Sequence, residues 1–257
     1  MTIAQAVILG VIQGLTEFLP ISSSGHLVIA QKLLGMEGPR LAFDVFLHLG
    51  TLIAVIVYFR KYIVDILTKD RETLIYLVIG SFPALVAGFL LKDSIENLFN
   101  APKFVGYMLI TTGAWIVLAS IASALYKKRG AEKELDIVNT FLIGCAQAVS
   151  IIPGISRSGA TIATGFLSGI EARTACTFAF VLSIPAVAGA TALKAVKITS
   201  ELAGPGSLAF MAGGLAAMLA GLASISIVLR LVQRRLFFVF GIYCLLAGFF
   251  TAFYLFR

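Results

Sequence analysis

Two short polar stretches stand inside an otherwise apolar chain, and both hold residue types that carry out chemistry. The first runs from Glu17 to His26 and contains a carboxylate, the hydroxyls of Ser22–Ser24, a proline, a glycine and an imidazole. The second runs from Pro153 to Thr161 and is centred on an arginine between two serines. Polar groups at this density are costly to bury unless they have a function. We therefore predict that the fold brings the two stretches together.

The first stretch has the groups that covalent phosphoryl transfer needs. Serine becomes a nucleophile when a base accepts its proton, and histidine is the most common acid or base. Ser22 and Ser23 lie four and three residues before His26, so either of them shares a face with it if a helix begins there. Glu17 has the chemistry to act as the base, to orient His26 or to hold a metal ion. His48, in a later apolar segment, is interpreted as a structural histidine.

Both stretches lead into apolar segments that we predict to be helices, starting at Ser24-Gly25 and Ser158-Gly159 with serine as the cap. A helix N-terminus presents unpaired N–H groups and a partial positive charge, so two that point at one place form an anion site. Arg157 adds a planar group suited to phosphate oxygens, and a structural ion pair with Glu17 is its alternative, compatible role. The residues predicted to bind the anion are Gln13, Ser22, Ser24, Gly25, Ser156, Ser158, Gly159 and Thr161.

The composition indicates an integral membrane protein. The chain is 59% hydrophobic and 13% charged, whereas a soluble domain carries about 25% charge. Its apolar runs are long blocks and not alternating strands, which favours helices over a β-barrel. The Lys and Arg residues lie mainly in short loops, so we expect no nucleic-acid partner despite the net charge of +7. The three cysteines form no CxxC pair and are interpreted as packing residues.

Each half of the chain reads as two short apolar segments around a polar tip, followed by three full spans. The short segments, which are below the roughly 20 residues needed to cross a bilayer, are Ile3–Leu15, Leu27–Leu34, Ile137–Ile152 and Ser158–Ile170. The predicted spans are Leu41–Phe59, Thr73–Leu91, Phe104–Tyr126, Thr174–Leu193, Leu208–Leu229 and Leu236–Phe256. A turn is predicted at Gly38–Arg40, a charged, partly amphipathic loop at Arg60–Glu72 and a polar loop at Lys92–Lys103.

The two halves also match in sequence. Five residues recur 134 positions later, namely Gly10, Gln13, Ser22, Ser24 and Gly25 as Gly144, Gln147, Ser156, Ser158 and Gly159. This indicates an internal repeat, 1–128 and 134–257, within a single membrane domain 1–257. An odd number of spans in each half places the second half upside down relative to the first. The predicted fold is an all-α polytopic membrane protein with an inverted-topology repeat, six transmembrane helices and two re-entrant helical hairpins with tips near the midplane.

The distribution of basic residues predicts the orientation. The loops after Leu41–Phe59, Phe104–Tyr126 and Leu208–Leu229, and after the second hairpin, carry the larger share of Lys and Arg. These loops are therefore expected in the cytoplasm. Both termini and the mouth of the first hairpin would then face the outside.

The two stretches also resemble a known family. GLTEFLPISSSGH (Gly14–His26) and PGISRSGATI (Pro153–Ile162) resemble the two signatures of the bacterial undecaprenyl-diphosphate phosphatases of the bacitracin-resistance type. The resemblance covers the whole chain in length, order of spans and duplication. It implies hydrolysis of undecaprenyl diphosphate to the monophosphate at the outer face of the plasma (inner) membrane, recycling of the cell-wall lipid carrier and bacitracin resistance. It also implies a divalent cation, Mg²⁺ or Ca²⁺, and a homodimer.

The resemblance assigns roles to individual residues. It implies that Glu17 is a catalytic residue and that Ser23 is the nucleophile. Glu17 is also the residue expected to bind the metal ion. His26 and Arg157 match the histidine and the arginine of the two signatures. Some members carry Glu at the position of Gln13. An amide cannot act as a base, so Gln13 is expected to bind metal or phosphate through its carbonyl. The sequence leaves open whether Ser23 or His26 attacks phosphorus.

Two alternatives belong to other classes. A polyprenyl-phosphate flippase or an anion transporter would also use inverted repeats, broken helices and a midplane anion site. A carrier needs no nucleophile beside a base, so the combination of Glu17, Ser23 and His26 favours the enzyme. The type-2 phosphatidic acid phosphatases also have a Ser-Gly-His element, but they need a histidine about six residues beyond a later Ser-Arg. Ala163 stands at that place, and no histidine follows His48.

Overall fold

The fold is built from helices, most of which end within a few residues of the predicted segments, although the helix predicted over Thr174–Leu193 runs on to Leu202. The computed structural model describes residues 1–36, 41–90, 102–202 and 206–255. In these ranges the helices are α1 (Ile3–Phe18), α2 (Ser23–Leu33), α3 (Leu41–Tyr58), α4 (Arg60–Thr68), α5 (Arg71–Leu90), α6 (Pro102–Arg129), α7 (Ile137–Val149), α8 (Arg157–Leu167), α9 (Ala172–Leu202), α10 (Ser207–Gln233) and α11 (Phe237–Phe250), which continues into a π-helical turn at Thr251–Leu255. The predicted turn Gly38–Arg40 and most of the predicted loop Lys92–Lys103 lie outside the described residues.

The prediction of an all-α polytopic membrane protein is confirmed. By length and composition, α5, α6, α9, α10 and α11 with its extension are apolar enough to cross a membrane. The described residues thus hold five such helices, or six when the bent pair α3 and α4 counts as one span. The helices α1 and α7 are shorter apolar helices, as expected of segments that turn back before crossing. The inverted repeat and the re-entrant path stay predictions.

The segment after α3 differs from the prediction of a loop. The chain bends by 71° at Phe59 and continues as α4. Ile66 on α4 is buried, and Lys69 pairs with Asp65 one turn earlier at 2.9 Å. An apolar face with a charged opposite face is the pattern of a helix that lies along a surface, so the charged residues did not exclude a helix.

Glycine allows the two short helices to approach their neighbours closely. The backbone of α1 at Gly10 packs on the backbone of α10 at Gly213, and a Cβ at Gly10 would overlap the Gly213 carbonyl oxygen. The backbone of α7 at Gly144 packs in the same way on Gly80 of α5. Small residues at helix contacts are a common means of close packing in membranes, where backbones meet through van der Waals contacts. These two contacts fix the axes of the helices that carry the tips.

The end of α1 is held in the largest buried apolar cluster. Phe18 packs edge to face on Phe180 of α9, with ring centroids 5.5 Å apart, and both rings are buried. Ser224 of α10 donates a hydrogen bond to the carbonyl oxygen of Leu15 at 2.8 Å. Glu17, which precedes Phe18, is therefore carried on a backbone that is fixed from two sides.

Candidate active site

Each hairpin returns through a helix that is capped by serine. The Oγ atom of Ser22 caps α2 by accepting from the N–H of Gly25 at 3.4 Å, and Ser156 caps α8 by accepting from the N–H of Gly159 at 3.1 Å. The predicted helix starts, Ser24-Gly25 and Ser158-Gly159, were wrong. The capping serine in each stretch is the one two residues earlier, Ser22 or Ser156. A capping side chain bonds to an N–H three residues further on, and the glycines occupy that place. The hydroxyls of Ser24 and Ser158 lie 3.4 and 3.3 Å from the capping hydroxyls.

The first tip holds a serine in an unusual backbone conformation. Ser22 has φ of 69°, in the left-handed region that non-glycine residues seldom adopt. Its carbonyl oxygen accepts from Nδ1 of His26 at 2.7 Å and from the N–H of the same residue at 3.2 Å. Such a conformation costs on the order of 1–3 kcal/mol and persists where surrounding contacts enforce it. The hydrogen bonds to His26 and Gly25 are those contacts.

The structure brings the two polar stretches together, as the sequence predicted. Ser158 donates through Oγ to the carbonyl oxygen of Leu19 at 3.2 Å, which joins the second tip to the first. The Arg157 guanidinium forms an ion pair with Oε1 of Glu17 and also donates to the carbonyl oxygen of Ser183 at 3.5 Å. The predicted structural ion pair between Arg157 and Glu17 therefore exists. Ser23 also bonds to Glu17, so the first residues of α2 and α8 meet at this carboxylate.

The second tip is supported by α6 and by its own helix. Thr112 of α6 donates to the carbonyl oxygen of Gly154 at 3.3 Å and accepts from the N–H of Ser156 at 3.1 Å. Thr161 is buried and donates through Oγ1 to the carbonyl oxygen of Arg157 at 2.8 Å. The hydroxyl of Thr161 thus supports the turn that carries Arg157.

Glu17 is the centre of the hydrogen-bond network. Its side chain is 5% exposed, so nearly all of its partners come from the protein. Oε2 accepts from the Ser23 hydroxyl at 2.5 Å and from Nε2 of Gln13 at 2.8 Å, while Oε1 faces Arg157. A carboxylate at this distance from a serine hydroxyl has the geometry of a general base. The site therefore holds a hydroxyl, a carboxylate and a guanidinium in one cluster, which is the set of groups that nucleophilic attack on a phosphate needs.

His48 belongs to this cluster, which differs from its interpretation as a structural histidine. Nε2 of His48 lies 3.5 Å from Oε2 of Glu17. The carbonyl oxygen of Asp44 can only accept, so Nδ1 of His48 carries a proton and donates to it at 2.8 Å. The ring is thereby fixed with Nε2 towards the carboxylate. An ionisable residue inside an apolar span is a signal for a functional role. The contact with Glu17 was not predicted, because the two residues are far apart in sequence.

His26 faces away from the serine that it was expected to activate. Its Nδ1 donates to the Ser22 carbonyl oxygen, and its Nε2 lies 2.7 Å from the hydroxyl of Tyr243 on α11. The two rings are also stacked, with centroids 5.7 Å apart. The Ser23 hydroxyl is bonded instead to Glu17. Tyr243 was missed in the sequence, because one tyrosine in an apolar span carries no local signal.

The chain is similar to proteins of one family over nearly its whole length. Residues 6–250 match the family model described as bacitracin resistance protein BacA. A protein named undecaprenyl-diphosphatase from Pelotomaculum thermopropionicum is 40% identical over 256 residues, covering 96% of this chain and 95% of the relative. Proteins of the same name from Desulforapulum autotrophicum and Desulfosudis oleivorans are 37% and 39% identical, each covering at least 95% of both chains. The chain therefore belongs to the bacitracin resistance protein BacA family.

Proposed function

We propose that this protein hydrolyses undecaprenyl diphosphate to undecaprenyl phosphate and phosphate in the plasma membrane. In the cell this reaction would recycle the cell-wall lipid carrier and confer resistance to bacitracin. The observation that carries the proposal is the 2.5 Å hydrogen bond from the Ser23 hydroxyl to Glu17, beside the guanidinium of Arg157. The names of the relatives supply the substrate.

In the proposed reaction Ser23 is the nucleophile. Glu17 accepts the Ser23 proton at Oε2, the serine oxygen forms a bond to the terminal phosphorus, and the anhydride P–O bond breaks. Undecaprenyl phosphate leaves with the electron pair of that bond. Water then attacks the phosphoserine, releases phosphate and restores the serine hydroxyl. The geometry favours Ser23 over His26 as the attacking group, because Nε2 of His26 is already bonded to Tyr243.

Charge that develops on the phosphate oxygens needs donors that are fixed in place. Arg157 supplies a fork of N–H groups, and its second contact, to the carbonyl oxygen of Ser183, keeps the fork oriented. The N-termini of α2 and α8 add backbone N–H groups from both tips. Such donors act strongly in a site from which water and its high dielectric constant are largely removed.

A divalent cation is part of the proposal, as Mg²⁺ or Ca²⁺. In the described residues no three His, Cys, Asp or Glu side chains are grouped for metal binding. Glu17 and Oε1 of Gln13, a buried acceptor with no partner among the described residues, are the oxygen atoms that would hold the ion. Mg²⁺ is commonly bound by one or two carboxylates together with substrate phosphates, so this small donor set fits. When bound, the ion would neutralise charge on the diphosphate.

The orientation is also a proposal and rests on the loop charges. With the Lys- and Arg-rich loops in the cytoplasm, the mouth of the first hairpin opens to the outer face. A long prenyl tail would then lie in lipid while its diphosphate reaches the two tips. Accessibility of a cysteine introduced at Thr2 and at Gly130 to a membrane-impermeant reagent tests this. The proposal requires labelling from outside at Thr2 and protection at Gly130.

The direct test is phosphate release from farnesyl or undecaprenyl diphosphate by the purified protein in detergent with Mg²⁺. Ser23→Ala and Glu17→Ala are expected to abolish release. Ser120→Ala is the matched control, since its hydroxyl donates to the Ile116 carbonyl oxygen within α6 and to no other acceptor in the described part of the chain. Mass spectrometry of acid-quenched enzyme should detect phosphate on Ser23.

Two results would overturn the proposal. Folded wild-type protein that releases no phosphate, with or without metal, would point to a carrier of lipid phosphates, which transport into liposomes would then test. Full activity of Ser23→Ala would remove Ser23 as the nucleophile. In that case His26→Ala becomes the next variant.

A further inference from the structure

Gln147 is a buried amide that the protein leaves without hydrogen bonds. It lies in the last turn of α7, just before the second tip, and is 2% exposed. Neither Nε2 nor Oε1 has a partner among the described residues. Burying an amide without partners is unfavourable, and most buried polar side-chain atoms in folded proteins are paired. An amide in this state at the end of a hairpin indicates that its partner comes from outside the protein.

The packing of α7 directs this amide towards the part of α9 that anchors Arg157. Ile143 of α7 and Leu182 of α9 belong to one buried apolar cluster. Gln147 lies one turn further along the same face of α7, in the direction of the tip. Ser183 follows Leu182, and its carbonyl oxygen accepts from Arg157 at 3.5 Å. Gln147 therefore lies one helical turn beyond a residue that shares a buried cluster with Leu182, the neighbour of Ser183.

The first half of the chain shows what the equivalent amide does when it has a partner. Gln13 stands 134 positions earlier, and its Nε2 donates to the carboxylate of Glu17 four residues later. The residue four positions after Gln147 is Ile151, which has no acceptor on its side chain. The second half thus keeps the amide but lacks the carboxylate that would bind it.

We infer that Gln147 is a substrate-binding residue whose Nε2 donates to an oxygen of the diphosphate held by Arg157. The inference deepens the proposed function and rests on it for the identity of the anion. The amide supplies a neutral donor from the second tip, so that the diphosphate is held from both halves of the chain. In the absence of the anion, the same amide is a source of instability.

The experiment replaces the amide by an apolar side chain of similar length. Gln147→Met keeps the shape and removes both polar atoms. The matched control is Thr140→Val, because Thr140 is fully buried on the same helix and its Oγ1 also has no partner in the ranges that the structure describes. Thr140 lies seven residues before Gln147, about 10 Å further from the tip along the axis. Phosphate release and the thermal midpoint in detergent are measured for both variants and for wild type.

The inference predicts a separation of activity from stability. Gln147→Met should lower kcat/KM by about tenfold or more, the usual effect of losing a hydrogen bond to a charged group, with a thermal midpoint no lower than that of wild type. Methylenediphosphonate, a diphosphate that is not hydrolysed, should raise the midpoint of wild type more than that of Gln147→Met. Thr140→Val should keep wild-type kcat/KM. Wild-type kcat/KM in Gln147→Met overturns the inference.

Two further measurements keep the test decisive. If Gln147→Met does not fold, Gln147→Asn is used in its place. Asparagine retains the amide but has a side chain shorter by one methylene. That variant must show a raised KM, and an unchanged KM refutes the role. If wild type releases no phosphate, the proposed function fails while Gln147 is still tested by methylenediphosphonate. Equal stabilisation of wild type and Gln147→Met by this compound would then reject the binding role.

Discussion

Replacing Glu17 by glutamine tests its role as a base without changing the shape of the site. The variant Glu17→Gln keeps the length and packing of the side chain but cannot accept the Ser23 proton. A positioned general base contributes about 10²–10⁴ in rate, and the 2.5 Å contact indicates that Glu17 supplies it. We expect kcat to fall by at least about 100-fold.

The effect on substrate binding should have the opposite sign. In the free protein the Arg157 guanidinium is paired with Glu17, and the carboxylate also repels an incoming diphosphate. Glutamine removes both effects, so at a Mg²⁺ concentration that saturates the variant KM should stay equal or decrease. Stability should fall, because breaking a buried ion pair costs about 3–5 kcal/mol. The lower end applies, since the Arg157 side chain is 19% exposed and keeps its bond to Ser183.

The assay is steady-state phosphate release from farnesyl diphosphate, with the thermal midpoint measured on the same sample. Glu72→Gln serves as the control, because Glu72 is an exposed carboxylate whose partner is Tyr76. A kcat of Glu17→Gln within tenfold of wild type would refute the role of Glu17 as the base. An increase in KM with unchanged kcat would instead assign Glu17 to ground-state binding.

Two further predictions concern residues that contact Glu17, and a third concerns the packing of α1. Arg157→Lys should lose most activity because a single ammonium cannot replace the planar fork, and wild-type-like phosphate release would exclude Arg157 from the mechanism. His48→Gln should lower kcat several-fold without loss of folding, since it removes the ring that faces Oε2 of Glu17 at 3.5 Å; an unchanged rate would return His48 to a structural role. Gly10→Leu should prevent close packing of α1 on α10 and lower the thermal midpoint, whereas Gly189→Leu should not, since no atom of the described residues outside the adjoining helix backbone lies within 4 Å of a Cβ added there.

The sequence predicted the parts of the site that are local in the chain. Both tips were recognised, because clusters of serine, glycine and proline inside apolar sequence are visible without a structure. The pairing of Arg157 with Glu17 was also anticipated, since each needs an opposite charge in the membrane. The capping serines were assigned to the wrong position. Each tip has two serines two residues apart, and the sequence does not show which of them caps the helix.

Contacts between distant helices were not predictable in the same way. His48 and Tyr243 reach the site from α3 and α11, and their positions depend on how those helices pack. The 71° bend after α3 likewise depends on the docking of α4, which the charged residues in its sequence concealed. Periodicity and composition describe single segments, whereas these features arise from pairs of segments.

The ion pair between Glu17 and Arg157 joins residues that are 140 positions apart, and this has a consequence for biosynthesis. At about 5–20 residues per second, the ribosome makes Arg157 roughly 7–30 s after Glu17. Glu17 is therefore synthesised well before the arginine with which it forms the ion pair. The ion pair can form only after Arg157 in the second half has been made. The order of translation thus makes completion of the pair a late step of assembly, and a nascent chain stalled before the second hairpin would be a substrate for membrane quality control.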